Sequence, residues 1–91
     1  MIRSFKNKTL RAFYQTGDGR KLSVQNVDRL RRILLALDDA EQPEDMNLPG
    51  FRFHSLTGNQ KGRFSVRVTG NWRLTFGWDQ GASDIGLEDY H

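Results

Sequence analysis

Apolar residues recur at helical spacing in the first half of this chain and alternate in the second, with the change of period falling near residue 50. Leu10, Phe13 and Tyr14 stand at i, i+3 and i+4 and predict a short helix. Thr16-Gly17-Asp18-Gly19 should end it, because two glycines in four residues favour a turn. Val24, Val27, Leu30, Leu34 and Leu37 fall on one stripe, with Arg29, Arg31 and Arg32 mostly off it, and predict a second helix capped by Ser23 and ending near Ala40. Pro43 cannot sit in a helix interior and disfavours helical geometry at Gln42, so residues 41–50 read as an irregular connector with room for one helical turn.

Beyond the connector the period is two. Phe51 and Phe53 alternate with Arg52 and His54; Phe64, Val66 and Val68 with Arg63, Ser65 and Arg67; Trp72, Leu74, Phe76 and Trp78 with Arg73, Thr75 and Gly77. Each run predicts a half-buried strand. Thr69-Gly70-Asn71 and Asp79-Gln80-Gly81 supply tight turns, Ile85 and Leu87 mark the inward face of a last strand, and Ile2 to Phe5 reads as a short edge strand. The expected fold class is α+β: two amino-terminal helices packed on one face of a small, mainly antiparallel β-sheet, in a single domain spanning residues 1–91.

Composition narrows the chemistry. The chain has no cysteine, which excludes disulfides, Cys-ligated zinc and thiol catalysis, and its two distant histidines predict no metal site. No stretch resembles a signal peptide or approaches the ~20 apolar residues of a membrane span, so a soluble cytoplasmic protein without membrane contact is expected. The net charge of +3 is unevenly spread. Residues 1–37 hold nine Lys/Arg against two acids, residues 38–50 hold five acids and no base, and residues 51–91 hold five bases against four acids. A polyanionic partner such as nucleic acid suits the basic half. Ordinary solvated helix faces would show the same charges, and charge alone does not separate the two readings.

Alternation also assigns faces. With Trp72, Leu74, Phe76 and Trp78 under the helices, Arg73 and Thr75 must face away, together with Arg63, Ser65 and Arg67, so the open sheet face should be basic and suited to phosphate oxygens. Thr57, Asn59 and Lys61, in the loop before that strand, are further candidates for contact with a nucleic-acid backbone. RNA cleavage by its own 2′-hydroxyl requires a base, an acid and a cation for the phosphorane charge. His54, His91, Asp89 and Arg73 fill these roles without a metal. A lone histidine at a strand end is more often a surface or hydrogen-bonded residue than a catalyst, so spacing permits this chemistry without establishing it.

The opening Met1-Ile2-Arg3-Ser4-Phe5, the stretch Val27-Asp28-Arg29, the loop Leu56-Thr57-Gly58-Asn59, the hairpin Val66-Arg67-Val68 with Asn71-Trp72-Arg73-Leu74-Thr75-Phe76, and the tail Glu88-Asp89-Tyr90-His91 together resemble the HigB toxins of the RelE/ParE toxin-antitoxin superfamily. The resemblance covers essentially the whole chain. It implies a RelE/ParE-like microbial RNase fold and a ribosome-dependent messenger RNA endoribonuclease that uses no cofactor. It also implies a HigA-type helix-turn-helix antitoxin, through which the toxin meets operator DNA indirectly. On the matching positions, Arg73 would stabilise the scissile phosphate while Asn71 and Arg67 help to hold RNA, beside the RNA-binding candidates Arg63, Lys61 and Thr57 that the face and loop supply. Tyr90 would stack on a base or orient the phosphate, and Asp89, His91 and His54 are the acid/base candidates. Some members carry a lysine where this chain has Thr57; one cationic donor fewer at a transition state costs ~3 kcal/mol, about a hundredfold in rate, so weak toxicity is in keeping with this position. Two other readings remain open on these residues: a ParE-like inhibitor of DNA gyrase, and a noncatalytic RNA- or ribosome-binding regulator. For antitoxin docking the helical side is expected, because its charge excess is larger.

Overall fold

Asn7 starts the first helix in the computed structural model, which describes residues 1–89. Its side-chain oxygen accepts the Thr9 and Leu10 N–H groups, satisfying two donors that a helix end leaves free, and α1 runs Lys8–Thr16. Gly17 ends it in a left-handed conformation (φ 78°) from which its N–H reaches the Phe13 carbonyl. Helix α2 (Val27–Asp39) is capped by Asn26, whose side chain accepts the Arg29 N–H, and not by Ser23 as the apolar stripe suggested. Val24 is buried but lies ahead of the helix. The connector contains one 3-10 turn, Pro43–Met46, and Asp45 reaches back to the Glu41 and Gln42 N–H groups.

The four strands β1 (His54–Ser55), β2 (Phe64–Arg67), β3 (Trp72–Trp78) and β4 (Ala82–Asp89) form an antiparallel meander in sequence order. β1 is shorter than the Phe51–His54 alternation implied. Arg52 adopts a positive φ of 49°, and this breaks the extended chain between the two phenylalanines, although the Phe51 carbonyl still accepts the Arg67 N–H. The expected amino-terminal edge strand appears as two parallel bridges on the outer edge of β4, Ile2 with Ala82 and Phe5 with Ile85. Asp38 of α2 anchors this segment by accepting the Ile2 N–H.

Leu10 and Phe13 of α1 and Leu30, Ile33, Leu34 and Leu37 of α2 pack with Val66, Leu74, Phe76 and Ile85 of the sheet into one core, which leaves the opposite sheet face for other work. Arg29 fastens the two layers: its guanidinium donates to the Gly50 and Arg67 carbonyls at 2.6 and 2.9 Å and lies over the Phe51 ring. Arg29 is therefore a structural staple, unlike its exposed neighbours Arg31 and Arg32.

Candidate functional site

Strand register sets the open face. Across the sheet it aligns His54 with Ser65, Ser65 with Thr75 and Thr75 with Gly86; one row along, Arg67 faces Arg73 and Arg73 faces Glu88. His54, Arg67 and Arg73 thus share the face that the helices leave uncovered, with His54 exposed on the edge strand and the two arginines half-buried.

The face is less bare than alternation alone implied. Ser65 and Thr75 point away from the core yet are 4 % and 0 % exposed, because longer side chains close over them. Arg63 donates to the Thr75 hydroxyl (3.1 Å) and the Asp84 carbonyl (2.8 Å); Thr75 donates to a Glu88 oxygen (2.8 Å); the other Glu88 oxygen lies 3.4 Å from the Arg73 guanidinium. Partial burial would by itself raise the Glu88 carboxyl, but the Thr75 hydroxyl, the Arg73 guanidinium and the charge of Lys6 together outweigh it and hold the group below its ordinary range. Glu88 is the residue that sequence reasoning missed as a site member. Its position opposite Arg73 depends on hairpin register, which Asp79-Gln80-Gly81 alone did not specify.

The remaining candidates divide between two ends of the sheet, separated by about 10 Å along β2. Asn71 is exposed at the β2–β3 turn, beside the Arg67–Arg73 pair; Arg67 itself donates to the Thr69 carbonyl. Thr57 and Lys61 flank the 3-10 turn Gly58–Gln60 at the opposite end, both exposed. Asp89 pairs with Trp72, so alternation sends its side chain to the Leu74 side of the sheet, whereas Glu88 takes the place beside Arg73. Tyr90 and His91 lie outside the described residues. Among the described residues no three His, Asp or Glu side chains converge as a metal site would require.

A groove of about 750 Å³ lies on the loop side of this face, bounded by the Gly58–Gln60 turn and reaching Glu88 of β4. Lys6, Lys8, Asn59, Gln60, Arg63 and Glu88 line it, so its walls come from the start of α1, the loop before β2 and the open face of β4. Lys6 reaches this place because its backbone N–H bonds the Ile85 carbonyl, and its stem passes over Gly86, where a Cβ would meet it in ordinary contact at 3.6 Å. The arrangement offers cations for phosphate, amides for base edges and an imidazole on the same face.

Comparison with known proteins agrees with this architecture. Residues 3–91 match the family model described as the RelE-like toxin of the type II toxin-antitoxin system HigB. The chain is 37% identical over 92 residues to "Endoribonuclease HigB" of Proteus vulgaris, covering 100% of both proteins. It is 38% identical over 85 residues to "Toxin HigB-1" of Vibrio cholerae serotype O1 (strain ATCC 39315 / El Tor Inaba N16961), covering 91% of this chain and 90% of the relative.

Proposed function

The chain belongs to the RelE-like HigB toxins of type II toxin-antitoxin systems and acts as an endoribonuclease, and we propose that it cuts messenger RNA on the ribosome by driving the 2′-hydroxyl onto the adjacent phosphate. As a type II toxin it has an antitoxin partner. The observation that carries the mechanism is the cross-strand row Arg67–Arg73–Glu88, which sets two guanidinium groups on the open face that also bears His54.

In this mechanism Arg73 meets the negative charge that grows on the phosphate oxygens, where a preorganised cation acts more strongly than water does. Glu88 orients the Arg73 guanidinium from the side. His54 and His91 exchange the two protons, one taken from the 2′-hydroxyl and one given to the departing 5′-oxygen; Tyr90 orients the phosphate, while Asp89, on the Leu74 side of the sheet, acts only indirectly. Asn71, Arg67, Arg63, Lys61 and Thr57 hold the flanking RNA. No step needs a metal or cofactor, since base, acid and cation are all side chains. The antitoxin is a HigA-type helix-turn-helix protein that carries the toxin to operator DNA indirectly. It docks on the helical side, where Arg31 and Arg32 are exposed beside Leu35, itself 57% exposed.

Mapping the 5′ ends of messenger RNA in a purified translation reaction tests this reading. The wild-type chain should cut only when ribosomes are present, and Arg73→Ala or His91→Ala should lower the cutting rate about a hundredfold or more. Undiminished cleavage by both variants would remove these residues from the mechanism. Intact messenger RNA together with inhibited gyrase supercoiling would replace nuclease action by gyrase binding.

A further inference from the structure

The groove at the start of α1 extends the face on which Arg73 sits, and its chemistry is that of a nucleic-acid strand. Lys6 and Lys8 stand on either side of the α1 cap, where the positive end of the helix dipole disfavours cations, and the first turn holds no acid to offset them. Two lysines kept where local electrostatics oppose them point to an anionic ligand. The helix end itself is not that ligand's site, because Asn7 already takes the Thr9 and Leu10 N–H groups. Opposite the lysines stands Arg63, whose Nε is buried without a hydrogen-bond partner among the described residues. Of the two acids at the groove, Glu88 is engaged by Thr75 and Arg73 and feels the charge of Lys6, while Asp84, in β4, accepts the Ser4 hydroxyl. Lys6, Lys8 and Arg63 against Asp84 and Glu88, with Arg73 paired to Glu88, leave the groove with a net positive charge. Asn59 and Gln60 add amide groups that can donate to and accept from base edges, a feature that suits RNA better than an acidic peptide. The volume of about 750 Å³ lies within the roughly 300–1,000 Å³ of ordinary ligand sites.

We propose that this groove is a second RNA subsite, in which Lys6 and Lys8 hold the backbone phosphates of nucleotides flanking the cleavage point while Asn59 and Gln60 contact a base. The proposal rests on the nuclease reading for its direction, since the groove leads to Arg73 through Glu88 and Thr75. In it the lysines bind and do not react. They supply cationic contact on the side of the face where the loop offers Thr57.

The test uses the full chain and the variant Lys6→Gln/Lys8→Gln, with Lys6→Arg/Lys8→Arg as the charge-keeping control, all shown by circular dichroism to melt as folded proteins. Binding of a labelled single-stranded 2′-fluoro hexanucleotide, which lacks the attacking hydroxyl, is measured by fluorescence anisotropy across a salt series. Loss of two phosphate contacts should reduce the slope of log affinity against log salt by about 1.4, at roughly 0.7 per contact, and the arginine control should restore it. In the ribosomal cleavage reaction the glutamine variant should raise KM about tenfold with kcat unchanged. An unchanged salt slope and KM in a chain that still cuts would overturn the groove and leave the nuclease reading intact. A wild-type chain that binds the hexamer through these lysines but never cuts would keep the groove and overturn the nuclease reading. Weakened binding of the antitoxin with RNA binding unaltered would give the groove to the antitoxin and overturn the proposal.

Discussion

Glu88 carries a charge that its neighbours favour, and its effect on the molecule depends on pH. Its carboxyl titrates below the ordinary value because Thr75, Arg73 and Lys6 together outweigh the cost of partial burial. A carboxyl with a lowered folded-state value binds its proton more readily in the unfolded chain, so it stabilises the fold fully above the ordinary glutamate value of 4.5. That contribution is lost as the pH falls through the lower folded value. Chemical denaturation measured across this acid range should show the wild-type chain losing more stability than Glu88→Gln, and parallel curves would mean that the carboxylate adds nothing. Above the window the substitution should also loosen Arg73, lowering kcat at pH 7 by about tenfold while KM moves little, as befits a residue that positions another.

At the scale of elements, side-chain hydrogen bonds decide boundaries that periodicity only approximates. Asn26→Ala should destabilise the protein by about 1 kcal/mol, whereas Ser23→Ala should leave the urea midpoint unmoved. Arg29→Ala removes donors from two carbonyls that join α2 to the sheet, and a loss of about 2 kcal/mol is expected, against no measurable change for the exposed Arg32→Ala. A drop in stability for Ser23→Ala equal to that for Asn26→Ala would reverse the assignment of the cap. The same distinction explains what could be read from the chain in advance. The apolar stripe of α2 and the alternation at Phe64–Val68 and Trp72–Trp78 reflect one buried face each, so helix and strands were legible. Which of Ser23 or Asn26 caps, and that Arg52 would turn left-handed before β1, are local backbone choices without a periodic trace. For the site, the shared face of Arg63, Arg67 and Arg73 followed from parity alone, whereas the Arg73–Glu88 pairing and the arrival of Lys6 across Gly86 require the register between distant segments.

On the scale of the whole molecule, the segment from Ile2 to Phe5 completes the sheet beyond β4, and Gly81 makes the close approach possible. Gly81 has φ 146°, and a Cβ there would collide with the Met1 carbonyl and press on the Arg3 side chain. Gly81→Ala should therefore cost about 2 kcal/mol in urea unfolding with little change in m, and a neutral result would show that the opening segment moves aside freely. The basic groove should suffer with it, because Lys6 is placed by the same pairing.

That pairing joins residues separated by eighty positions: Ser4 and Asp84 exchange hydrogen bonds, and Ile2 lies beside Ala82. Contacts of such long range form late, since loop closure must come before any reward from the contact. While the polypeptide is still being made, Lys6 has no β4 to lie across and Arg73 has no Glu88 beside it. Manufacture and activation are thus separated in time: translation first delivers a harmless thread, and the weapon is assembled only once residues 82–89 have been added.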